Sequence, residues 1–188
     1  IRDVVMSRGL GDVYKRQAQN GSSYKTVVGA SAVSLNSAHD NSAGFGYDAD
    51  PTAGNTIYLG NTSIISIKGQ VGFTTYSDAR FKTSVNNEDV KGLEFIAKLN
   101  PVTYYYDIDN YADWKEENHG ERDTAHWEGK YNIEKIRFSG FIAQEVEAAA
   151  KEAGYDFSGV DKPKNDKDIY GLRYAEFVVP LVKAVQEQ

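Results

Sequence analysis

The chain has 188 residues, a formal net charge of -6 and no cysteine. The acidic balance argues against the clustered Lys/Arg surface that holds nucleic-acid phosphates, and the missing thiols exclude disulfides and thiolate metal centres. A 40% hydrophobic content supports one ordinary domain with something added, or two small ones, and no apolar run approaches the roughly 20 residues of a membrane helix.

Ile1 to Gln17 carries scattered charges and no continuous apolar core, so it does not read as a signal peptide. Its ending, Gly11-Asp12-Val13-Tyr14-Lys15-Arg16-Gln17, resembles translated adapter sequence, and residues 1–17 are expected to be a non-native or disordered leader. Residues 18–76 are expected to be β-rich. Small and polar residues dominate there, and a loose unit recurs: Val28-Gly29-Ala30-Ser31-Ala32, Gly44-Phe45-Gly46-Tyr47-Asp48-Ala49, and Tyr58-Leu59-Gly60-Asn61. Short strands separated by Asn/Gly/Ser turns have this spacing, and such units need stacking or oligomerisation to bury a core. Thr56–Leu59 and Ser63–Ile67 read as two strands around Gly60-Asn61, and Val71–Tyr76 as a third.

Beyond Lys82 the pattern turns helical. Asn86-Asn87-Glu88-Asp89 offers N-caps to a helix carrying Val90, Leu93, Ile96 and Ala97, which Asn100-Pro101 ends. Val102–Ile108 predicts a strand, Asp109–Lys130 an exposed charged excursion with Trp114 and Trp127, and Ile136–Ile142 another strand. Ala143–Ala153 predicts a helix that Gly154 caps, followed by a polar connection. In the last element Tyr174, Val178, Leu181 and Val185 form a seam suited to a helix packing either on its copies or on its own core. Pro180 there marks a kink or a helix start.

Chemistry is concentrated in Tyr76-Ser77-Asp78-Ala79-Arg80-Phe81-Lys82. A serine hydroxyl becomes a nucleophile when a base removes its proton, and lysine does so only when neutral. Lys82 therefore needs burial or a nearby cation, which Arg80 can supply and Asp78 would oppose. An offset of five faces opposite ways on a strand and aligns poorly on a helix. Ser77 and Lys82 thus require a turn or bulge between them, or a Lys82 from another subunit. By spacing alone the bland reading is a Ser77-Asp78 turn with solvated Arg80 and Lys82.

Other constellations are weaker. His39, His119 and His126 have no metal-ligand spacing. Glu116, Glu117, Glu121 and Asp123 near the tryptophans suggest a sugar site only on paper, and Gly44-Phe45-Gly46 lacks the lysine and helix of a phosphate loop.

Ser77-Asp78-Ala79-Arg80-Phe81-Lys82 followed by Val85 resembles the signature of the endosialidase-type C-terminal intramolecular chaperone, the self-cleaving domain that ends many phage tail spikes and fibres. Gly92 to Ile96 with Leu99 to Tyr104, Gly140 to Val146, and Tyr174 through Glu187 extend the likeness. The region before Ser77 weakly resembles head repeats of trimeric bacterial adhesins and phage fibres. The expected fold is α+β: an N-terminal β-rich region, like a β-roll or shaft end, over 18–76, then a mixed α/β chaperone domain over 77–188 ending in a helix that packs in a homotrimer. The resemblance implies catalysis by Ser77 as nucleophile and Lys82 as base, a cut between Tyr76 and Ser77, and support from Asp78 and Arg80. It implies no cofactor or metal. The implied partners are two further copies and the preceding fibre of the same chain, with a glycan or cell-surface receptor for the mature fibre. The implied location is a virion tail fibre or a bacterial surface. The alternatives are a trimerisation cap that never cleaves and a carbohydrate-binding tip carried by Trp114 and Trp127. Relatives often continue into a longer helix than one ending at Gln188, and the Asp109–Lys130 stretch matches no family motif.

Overall fold

The computed structural model of the chain describes residues 15–16, 24–32, 39–119 and 124–188. The leader reading falls, except for Lys15 and Arg16, outside the described residues, as do Glu121 and Asp123 of the sugar-site reading. In chain order the strands and helices are β1 (Lys15–Arg16), β2 (Lys25–Val28), β3 (Ser42–Phe45), β4 (Ile57–Leu59), α1 (Leu93–Ile96) and β5 (Val102–Tyr104). There follow α2 (Ile108–His119), β6 (Phe138–Gly140), α3 (Ala143–Glu152), β7 (Val160–Asp161), β8 (Gly171–Leu172) and α4 (Val178–Gln186). The chain is mixed α/β, with small sheets and a C-terminal helix. It divides into two compact units, and among the described residues no helix is long and apolar enough to cross a membrane.

The first unit comprises the described residues up to Ile65 with those of Asp107–Ile133 and Lys164–Asp168. Its sheet runs β1-β2-β3-β4, with β2, β3 and β4 parallel and Val28, Phe45 and Leu59 in register. Each of these strands is followed immediately by a glycine. Gly29 and Gly46 have φ of 149° and 120°, values that side chains rarely adopt. A Cβ on Gly29 would collide with the Gly46 carbonyl oxygen, and one on Gly46 would stand 3.0 Å from Gly60 Cα. The recurring glycines are therefore a column of close backbone approach, one per strand. Val27, Ala32 and Ala49 form the small core beneath, with Tyr58 against it.

Asp109–Lys130 departs from the expected exposed excursion. Asp107 Oδ1 accepts the Asn110 N–H at 2.8 Å and so caps α2, a signal that the charged composition hid. Ile108 and Lys115 on this helix are buried. Lys115 Nζ donates to both Asp48 oxygens at 2.8 and 2.9 Å and to Asp50 Oδ2 at 3.3 Å. Burial pulls the Lys115 pKa down, but the two carboxylates more than offset this and leave it raised. Trp127 packs edge-on against Tyr47 at 5.4 Å, with the Lys130 ammonium 5.2 Å from its ring centre.

The second unit comprises Ser66–Tyr106, Glu134–Pro163 and Ile169–Gln188. Val146, Ala149 and Ala150 on α3, with Ala153 at its C-cap, recur at helical spacing and pack with Phe95, Phe157, Val160 and Phe177. The Phe95 and Phe157 rings lie 4.9 Å apart, as do those of Phe157 and Phe177. Gly154, at φ 63°, ends α3 as expected. A 3-10 turn over Tyr174–Phe177 leads into α4, where Pro180 sits in the first turn, whose N–H groups have no intrahelical acceptor in any case. The proline thus marks a helix start. Glu187 Oε2 accepts the Leu93 N–H at 2.7 Å and ties the end of α4 to the start of α1. Gly92 permits that approach, because a Cβ there would lie 2.7 Å from the Ala184 nitrogen.

Other expected elements are shorter or missing. The helix expected from Asn86–Asp89 is only the one turn of α1, and the Val102–Ile108 strand stops at Tyr104, where Asp107 begins α2. Ser63–Ile67 and Val71–Tyr76 form no strands. Their β-branched and aromatic side chains lie open, Val71 at 85% and Phe73 at 92%, because in a single chain they pair with no ladder.

Both tryptophans lie in the first unit, so their fluorescence reports its unfolding separately. Lys115→Met, which removes the buried ammonium from Asp48 and Asp50, is expected to destabilise that unit by about 3 kcal/mol. Denaturant titration followed by tryptophan emission checks this, and an unmoved midpoint would show that the ion cluster adds no stability.

Candidate functional site

Ser77 and Lys82 both lie in the second unit. Asp78 is extended at φ -74°, ψ 127°, the chain then makes one 3-10 turn over Ala79–Phe81, and Lys82 is extended again at φ -116°, ψ 138°. The backbone turn is held by Phe81 N–H donating to the Asp78 carbonyl at 3.1 Å and Lys82 N–H to the Ala79 carbonyl at 3.2 Å. With three residues taken up in the turn, the offset of five ceases to be a mismatch. Lys82 Nζ donates to Ser77 Oγ at 2.7 Å. The turn that the spacing demanded is present, and the contact is made within one chain.

Asp78 and Arg80 meet each other. Asp78 Oδ1 accepts the Arg80 backbone N–H at 2.9 Å. The guanidinium Nε lies 3.1 Å from each Asp78 oxygen, and its Nη2 lies 2.7 Å from Oδ2. This is the bidentate geometry of a charge-assisted pair. The Arg80 side chain and then its backbone N–H hold the Asp78 carboxyl below its ordinary value. Arg80 is thus engaged with Asp78, which offsets the cationic push that the sequence assigned to it. Its guanidinium also lies 5.6 Å from the Phe81 ring centre.

The whole motif is exposed in the single chain. Tyr76, on the other side of the expected cut, is 98% exposed, and Phe81 and Val85 stand open beside it. Neutral lysine is favoured by burial or by a neighbouring cation, and here neither end of the Ser77–Lys82 contact is covered.

The remaining residues singled out in the sequence sit elsewhere. His39 is buried with Nδ1 3.1 Å from the Pro51 carbonyl, and burial lowers its pKa. His126, Glu116 and Glu117 are exposed, while Trp114 and Trp127 are half-buried, Trp114 5.7 Å from Tyr111. A contribution that the sequence reading missed is that of Asp78 to the turn itself. Its signal was an Asp followed two residues later by the N–H it accepts.

Residues 77–155, less than half of the chain, match the family model described as chaperone of endosialidase, a family that also carries a peptidase name. No curated protein and no solved structure matches the chain. The match begins at Ser77, includes Asp78, Arg80 and Lys82, and ends before the Tyr174–Glu187 block of the resemblance.

A depressed carboxyl stabilises the fold above its unfolded value, and that contribution is lost as pH falls through the folded one. The turn is therefore expected to hold at neutral pH and to loosen in acid. In an uncleavable Ser77→Ala chain, carboxyl NMR should show Asp78 titrating below the ordinary 3.8, and Arg80→Gln, which keeps only the backbone N–H, should raise it towards that value. An ordinary Asp78 titration with Arg80 intact would mean that the pair does not form.

Proposed function

We propose, on the premise that residues 77–155 are an endosialidase-type chaperone domain, that this chain assists the folding of a fibre or spike preceding it and then cuts itself free at Tyr76–Ser77. The observation that carries the reading is Lys82 Nζ 2.7 Å from Ser77 Oγ across a single turn, in a match whose first residue is the one such a cut would leave as a new N-terminus.

Neutral Lys82 takes the Ser77 hydroxyl proton as Oγ adds to the Tyr76 carbonyl carbon. The tetrahedral oxyanion collapses, the C–N bond breaks, and the Ser77 nitrogen receives the proton from Lys82. An ester then joins the Tyr76 carbonyl to Ser77 Oγ. Water adds to that ester with Lys82 again accepting a proton, and the products are a Tyr76 carboxylate and a chain beginning at Ser77 with its hydroxyl restored. No substrate pocket is needed, because nucleophile and carbonyl are covalent neighbours.

The burial that Lys82 requires is assigned to the homotrimer. Val178, Leu181, Val182 and Val185 leave an apolar seam open on α4, with Val185 70% exposed. Tyr76, Phe81 and Val85 leave a second apolar surface around the dyad. Open apolar patches of this kind mark association surfaces. Packing of copies over the second patch would desolvate Lys82 and couple the cut to correct assembly. The released fibre is then kinetically trapped, its persistence set by an unfolding rate. Residues 18–76 are read as the β-rich end of that shaft and 77–188 as the chaperone. The setting is a virion tail fibre or a bacterial surface.

A trimerisation cap that never cleaves draws on the same α4 seam and the same open dyad. Gel analysis separates the two readings. The assembled wild type should yield a fragment whose N-terminal sequence begins Ser77-Asp78-Ala79, Ser77→Ala should stay whole, and Lys82→Ala should slow the cut by at least about 100-fold. A trimer that keeps Ser77 and Lys82 and stays intact on prolonged incubation would leave only the cap.

A further inference from the structure

We propose that Asp78 and Arg80 are a positioning pair, which acts on the Ser77–Lys82 contact by closing the turn between them. This rests on the self-cleavage reading above.

Three successive N–H groups close the turn: those of Arg80, Phe81 and Lys82. Asp78 accepts two of them, Arg80's through its side chain at 2.9 Å and Phe81's through its carbonyl at 3.1 Å. The third, from Lys82 to Ala79, fixes the lysine backbone at the turn's exit. A lone 3-10 turn in water has little stability of its own, since nucleation fixes several dihedrals for few hydrogen bonds. What distinguishes this one is the Arg80 fork, which grips both oxygens of the carboxylate that caps the turn. Arg80 thereby donates to Asp78 from its backbone and its side chain together, and neither residue can leave without releasing the other.

The alternative role for Arg80 is electrostatic, a cation that drives the proton off Lys82. Its fork on Asp78 weighs against that, because a closely paired cation and anion present little net charge to a third group. The two roles predict different kinetics. A positioning pair sets the fraction of chains in the reactive conformation, which scales the rate equally at every pH at which Asp78 is ionised. A charge role moves the pH midpoint of cleavage: loss of Arg80 shifts it upward and loss of Asp78 downward.

The test follows full-length chains made by cell-free synthesis and chased across a pH series, with the Ser77 fragment quantified over time. Asp78→Ala and Arg80→Ala are each expected to slow cleavage roughly five- to tenfold, as loss of a cap does, with the midpoint unmoved. The double variant should be no slower than the worse single one, because the pair works as a unit. Arg80→Lys, which keeps the charge and loses the fork, should be slow as well. Should the alanine variants fail to assemble, Asp78→Asn and Arg80→Lys carry the same comparison. Multiplicative losses, a shifted midpoint or wild-type rates in the variants would overturn the positioning role while leaving self-cleavage standing. A wild-type chain that never cuts would instead remove the cleavage reading and this proposal with it.

Discussion

The functional reading depends on one turn of 3-10 helix set between two extended residues. Without it a serine and a lysine five positions apart face away from each other, whichever regular structure they occupy. With it, three residues are taken up in the turn and the two side chains meet at 2.7 Å. The turn has no hydrophobic support, since every residue in it is exposed. It is held by backbone hydrogen bonds and by one ion pair, and water competes for all of them.

That exposure separates having the reacting groups in place from having them reactive. Proximity is achieved inside one chain, whereas the low-dielectric surroundings that favour a neutral amine are not. The second unit buries Phe95, Phe157 and Phe177 around α3, yet leaves the α4 valines and leucine and the Tyr76–Val85 aromatics in water. A chain arranged this way has a formed core and an unfinished surface. Under the self-cleavage proposed above, coupling the cut to whatever covers that surface would need no extra machinery, because the same burial would serve both ends.

The first unit is organised differently. Its parallel strands contribute little apolar volume, and the core beneath them is mostly alanine and valine. Order comes from backbone contact at the column through Gly29, Gly46 and Gly60, and from the buried Lys115 held by Asp48 and Asp50. Small side chains allow the close stacking. The ion cluster then joins α2 to the turn after β3 within the same unit.

Local signals were legible without the structure. Gly154 ends α3, Pro180 lies at the start of α4, and the recurring glycines each follow a strand, because these depend on dihedral angles and missing donors that a residue carries with it. So was the need for a bend between Ser77 and Lys82. Asp109–Lys130 was misread, since acidic composition masked a cap and a helix whose buried lysine finds its carboxylates more than 60 positions away in the chain. The strands expected at Ser63–Ile67 and Val71–Tyr76 had the right residues, but a strand exists only where a ladder partner does. Sequence alone determined which groups were available for chemistry. Tertiary structure decided that Arg80 engages Asp78, because a guanidinium reaches for the nearest carboxylate that fits its fork, and that proximity follows only from the folded turn.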